Sequence, residues 1–95
     1  MTTPTASQGV LDRAWDVNPR VSIRPERFGA LLYHFGTRRL SFIKDRRLLE
    51  VVTHLSTSAN AREACVAARL AGDELTSYAV ALTRLVETDM LKERP

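Results

Sequence analysis

Val21-Ser22-Ile23-Arg24 alternates apolar and polar residues, and Pro25 follows directly. A period of two is the mark of a half-buried strand. Proline has no N–H to give a ladder, so Pro25 is expected to close it. The run from Ala30 to Phe35 predicts a second strand, with outward members less polar than usual and both faces partly covered. Gly36 supplies the turn. Arg39 to Ile43 predicts a third strand, with Leu40 and Phe42 on one side and Arg39, Ser41 and Ile43 on the other.

The period then changes. Asp45 is a helix-capping residue, and Leu48, Val51, Val52 and Leu55 share one face of the helix that follows. Asn60 with Glu63 three residues on resembles a capping box. It opens a short helix with Ala61, Ala64, Cys65 and Ala68 on one side, and Gly72 is expected to stop it. Asp73 is expected to cap a last helix from Glu74 to about Thr88, whose apolar stripe is Leu75, Tyr78, Ala79, Leu82, Leu85 and Val86. Before the first strand, Val17-Asn18-Pro19 reads as a turn-like break.

Three short antiparallel strands cannot bury both faces alone. The helices must pack on the sheet, which predicts an α+β domain: a three-stranded antiparallel sheet followed by three helices, winged-helix-like. The 95-residue chain allows one such domain. We expect a disordered tail over residues 1–12, rich in Thr, Ser, Pro and Gln at its start, and a folded domain over 13–92.

Charge adds a direction to this picture. From Arg20 to Arg47 there are eight basic residues against two acidic ones, and from Asp73 onward five acidic against three basic. The basic half is the N-terminal half. No apolar run approaches the roughly 20 residues that cross a bilayer, and the N-terminus lacks the charged and apolar regions of a signal peptide. The single cysteine, Cys65, rules out an internal disulfide framework and suits a reducing cytoplasm.

Candidate chemistry is sparse. His34 and His54 share no ligand-spaced partner, so no metal site is expected. Cys65 lies on the apolar side of an alanine-rich helix, where an inert thiol is the default. There is no nucleophile elbow and no glycine-rich phosphate loop. We expect a non-enzyme without a cofactor.

Two binding classes are left. In a winged-helix DNA-binding regulator the last helix would read the major groove, yet Arg84 is its only base and it has no Asn or Gln. Facing phosphates, its acidic residues would be repelled. In the peptide-binding reading, an extended peptide adds to an open strand edge. The third strand leads straight into the first helix, and a peptide there would lie between Leu40–Ile43 and the Tyr78/Leu82 side of the last helix. Arg38, Arg39, Arg46 and Arg47 cluster nearby in sequence and would favour an acidic peptide.

Arg24-Pro25-Glu26 followed by FGALLYHFGTRRLSFIKDRRLLEVV resembles the small mycofactocin biosynthesis chaperones, members of the PqqD-like family of precursor-peptide recognition elements. The resemblance spans roughly residues 18–90. It implies a three-stranded sheet followed by three helices. It also implies binding of a precursor peptide's leader as an added strand, between the third strand and the last helix, and delivery to a radical S-adenosylmethionine maturase. Iron–sulfur clusters and S-adenosylmethionine would belong to that enzyme. Carried over by position, the strand side of the cleft falls on Arg39, Leu40, Ser41, Phe42 and Ile43, and the helix side on Tyr78, Leu82 and Leu85. Members can form dimers by strand or helix exchange, so a homodimer is open.

Overall fold

The structure, a computed structural model, describes residues 9–94. Strand β2 (Val21–Glu26) turns through Arg27-Phe28 into β3 (Gly29–His34), and β4 (Leu40–Ile43) follows. The strands form one antiparallel sheet in the order β2-β3-β4, with Leu32 opposite Ile23 on one side and Ser41 on the other. Helices α1 (Arg46–His54), α2 (Ala61–Ala67) and α3 (Asp73–Glu87) come next. The α+β class is as the residue pattern predicts.

Local bounds differ from the expected ones. Pro25 does not end β2, which runs on to Glu26; β2 is an outer strand, where proline is tolerated. The third strand begins at Leu40 rather than Arg39. Gly72 does not stop α2. That helix ends by Ala68, where Arg69 takes a left-handed φ of 66° and the N–H groups of Arg69 and Leu70 return to the carbonyls of Val66 and Cys65, a Schellman end. Gly72 instead occupies the N-cap of α3, and Asp73 is the first helical residue. There its carboxylate favours the positive end of the helix dipole. Asp45 and Asn60 do cap α1 and α2, accepting from the N–H groups of Arg47 (2.8 Å) and Glu63 (2.9 Å).

A second sheet was not legible in the sequence. Strand β1 (Trp15–Val17) pairs antiparallel with β5 (Leu91–Glu93), placing Trp15 opposite Glu93. Residues 1–8 of the expected tail lie outside the described residues. Its last part, Val10–Asp12, is a 3-10 turn with Val10 and Leu11 buried. Trp15 is buried too and donates its indole N–H to the Val10 carbonyl at 2.9 Å.

The core lies between one face of the large sheet and the helices. Ala30, Leu32 and Ile43 share one buried cluster with Val51 and Val52 of α1, Ala64 and Cys65 of α2, and Ala79 and Leu82 of α3. Gly29 is needed where the chain enters β3. A Cβ there would stand 2.0 Å from the Ile43 carbonyl oxygen, so only glycine lets β4 end this close to the hairpin.

Candidate functional site

In an antiparallel ladder each strand's N–H and C=O groups point alternately to its two neighbours. The His34 N–H reaches the Arg39 carbonyl at 2.9 Å. By that alternation and the register, Arg39, Ser41 and Ile43 turn their backbone groups inward to β3. Leu40 and Phe42 turn theirs outward, and no strand pairs with that side among the described residues. The side chains alternate as well: Ser41 and Ile43 face the helices, while Leu40 and Phe42 face away.

Beside this edge runs a groove of about 260 Å3. Ser41, Phe42 and Ile43 form its strand wall and Leu48 its base. Ala81, Arg84, Leu85 and Thr88 form its helix wall. These four recur at the spacing of one helix face. The wall is therefore a stripe next to the one expected.

Of the predicted helix-side residues, Leu85 lines the groove. Leu82 has no exposed surface and belongs to the core. Tyr78 is half-buried and donates its hydroxyl to Asp45. Burial raises the Tyr78 phenol to about 12, helped by the hydrogen bond to Asp45 and the charge of that carboxylate. The contact ties the first half of α3 to the segment just after β4. Ala81, Thr88, Leu48 and Arg84 were not expected at the cleft. Arg84 was legible only as the sole base on its helix.

The arginines separate by role. Arg47 pairs with Glu74 at 2.8 Å, joining α1 to the start of α3. Arg38 sits at a left-handed φ of 62° in the exposed β3–β4 turn, Arg39 is exposed beside it, and Arg46 is exposed at the start of α1. Among the described residues Arg38, Arg39, Arg46 and Arg84 make no ion pair.

Just past Thr88, the end of α3 is held by a polar cluster in which His34 and Asn18 are buried and Asp89 is exposed. His34 Nδ1 accepts from the N–H groups of Gly36 (2.9 Å) and Thr37 (3.0 Å), which leaves Nε2 to carry the proton and donate to Asp89 Oδ2 at 2.9 Å. Asn18 donates to the Asp89 carbonyl at 3.0 Å and accepts from the Arg20 N–H at 2.9 Å. Asp89, at a left-handed φ of 63°, closes α3 in a second Schellman end, with the Met90 N–H on the Leu85 carbonyl at 2.8 Å. His34 is thus a packed histidine that fixes the end of α3 against the sheet.

Chemically the arrangement offers hydrogen-bonding backbone, an apolar floor and one guanidinium. Among the described residues no three His, Cys, Asp or Glu side chains gather as a metal site. Cys65 is buried, and that burial raises its thiol pKa against the opposing charge of Arg62. No helix of the described residues is long and apolar enough to cross a membrane.

The Peptide chaperone MftB family matches residues 14–92. A peptide chaperone MftB of Mycolicibacterium smegmatis is 47% identical over 93 residues, covering 96% of this chain and 91% of that protein. Its counterpart in Mycobacterium tuberculosis is 47% identical over 83 residues, covering 87% and 76%, and that of Mycobacterium ulcerans is 49% identical over 80 residues, covering 84% and 73%. No solved structure matches the chain. The chain belongs to the peptide chaperone MftB family.

Proposed function

We propose that this protein binds the leader segment of the mycofactocin precursor peptide as a fourth strand on the β4 edge and presents it to a radical S-adenosylmethionine maturase, carrying out no chemistry itself. The observation that supports this most directly is the unpaired backbone of Leu40 and Phe42 beside the groove under α3. A leader docked there bonds to those backbone groups and sends alternate side chains into the groove, over Ile43 and Leu85. A disordered leader loses conformational entropy on docking, which the added ladder and apolar contacts must offset. Arg84 supplies the charge that favours an acidic segment. Once docked, the leader holds the precursor's reacting end near the enzyme at a high effective concentration.

Calorimetric titration with the full-length precursor and with a leader-only fragment tests this reading. Comparable binding of both is the expected result. Binding of the full-length precursor without the leader fragment would move recognition elsewhere on the peptide, and binding of neither would overturn the proposal.

A further inference from the structure

The face of the large sheet turned away from the helices is not polar. Leu31 stands opposite Phe42, and Tyr33 opposite Leu40. Phe28 meets Phe42 at a ring separation of 6.4 Å, and Phe35 stacks edge-on against Tyr33 at 5.0 Å. The six side chains form one continuous stripe from the β2–β3 turn to the β3–β4 turn. Four of them are largely open to solvent: Phe35 is 64% exposed, Phe42 56%, Leu40 54% and Phe28 44%. A hollow of about 420 Å3 lies between Phe28, Phe42 and Lys44. Large apolar side chains gathered on one exposed face mark a contact surface.

The border of the stripe is basic. Arg24 lies opposite Leu31 and is paired with Glu26 at 3.2 Å. Arg27 and Arg38 flank the stripe at its turns and Lys44 flanks it along β4, and none makes an ion pair among the described residues. A second copy of this chain laid face to face would bring these cations together with only Glu26, already engaged, to offset them. An apolar partner surface with an acidic border satisfies both the stripe and its rim.

We infer that the outer sheet face, centred on Phe28, Leu31, Tyr33 and Phe35, docks a folded protein that presents an apolar ridge bordered by carboxylates, and that this protein is the maturase. The inference rests on the proposed function for the identity of the partner, and on the stripe and its rim for the surface. The surface is distinct from the peptide site except at Leu40 and Phe42, whose outward backbone groups lie on the peptide edge while their side chains lie on the stripe. Chaperone and enzyme would meet on the face, leaving the β4 edge to the leader.

The experiment uses the purified maturase and the full-length precursor as separate probes against the wild-type protein and two variants. The double variant Phe28→Ser/Phe35→Ser changes exposed residues outside the groove, and is expected to weaken enzyme binding at least about tenfold while precursor affinity stays within about twofold. The variant Arg38→Glu/Lys44→Glu is expected to weaken enzyme binding most at low salt. Enzyme binding unchanged in both variants overturns the inference. So does a wild-type protein that binds precursor and not enzyme, whereas one that binds neither overturns the proposed function as well. A wild-type dimer that the Phe28→Ser/Phe35→Ser variant dissolves, with enzyme binding intact, would assign the face to a second copy instead.

Discussion

The large sheet has two outer strands, and they treat their edges differently. On β2 the outward N–H positions are those of Val21, Ile23 and Pro25, by the same alternation that pairs Phe35 with Arg20. The Val21 N–H is taken by the Asn18 carbonyl at 2.8 Å, and Pro25 has none to offer. Ile23 is left alone on that edge, beside the charged Arg24 and Glu26. On β4 the outward positions are Leu40 and Phe42, with no proline and no charge between Leu40 and Ile43. Proteins commonly blunt an exposed edge with proline or charge, because an open one recruits other chains. One edge here is blunted and the other is left open beside a groove, which is what separates a closed side of the molecule from a receiving one.

Several substitutions would break or sharpen that contrast. The largest effect is expected for Leu82→Ala, which removes a fully buried side chain under the groove and should cost about 2–5 kcal/mol of stability. Urea melts measure this, and precursor affinity per folded molecule should hold; a lost affinity at unchanged stability would make Leu82 a groove residue after all. Next is Phe42→Pro, which copies the β2 device onto β4. The outward donor disappears while the inward ladder at Ser41 and Ile43 stays, and the precursor Kd should rise about tenfold, or about 1.4 kcal/mol. Unchanged calorimetric binding by the folded variant would show that the peptide does not use this edge.

A smaller change is expected for Arg84→Glu. Partly solvated charges are worth little, so affinity for an acidic leader should fall about threefold at low salt and the difference should fade as salt rises. An identical loss at all salt concentrations would argue for packing rather than charge. The Tyr78–Asp45 contact at the groove's near end can be read through pH. The phenol is raised from 10.0 to about 12 in the folded protein, so folding favours its neutral form. That contribution is complete below pH 10 and is lost as pH rises through about 12. Denaturation of wild type and Tyr78→Phe across that window should show wild type losing stability faster. Parallel curves would mean that the hydroxyl contributes nothing differential. Least of all should follow from Pro25→Ala: the closed edge regains one donor, and precursor affinity should change by less than about 0.5 kcal/mol. A clear gain in affinity would place a second receiving edge on β2.

Legibility in the sequence followed the range of the forces involved. The alternation in Val21–Arg24 and Leu40–Ile43, and the caps at Asp45 and Asn60, are local, so the strands and helices could be read directly. Boundaries that depend on neighbours could not. Pro25 looked like a stop because its strand's outer position was unknown, and Arg69 was passed over as a helix end because a left-handed arginine is a choice made by packing around Leu70. The pairing of β1 with β5 joins three-residue strands from opposite ends of the chain, too short to show a period. The site divided in the same way. Ser41, Phe42 and Ile43 were legible as groove lining because strand alternation marks them, whereas the apolar stripe pointed to Tyr78 and Leu82, and Leu85 came only with the family resemblance. Ala81 and Thr88 were not, since small and polar residues beside a stripe carry no signal of their own.

By itself, then, the sequence determined the three strands of the large sheet, the three helices and their apolar faces, through hydrogen bonding and side-chain periodicity that act over a few residues. It also carried a family resemblance in the stretch from Arg24 onward. Only the tertiary structure decided which of two outer strands stays open, which turn of the last helix faces it, and that His34, Asn18 and Asp89 meet to hold that helix in place. Those outcomes depend on burial and on hydrogen bonds between residues far apart in the chain, and such contacts exist only once the whole core has closed.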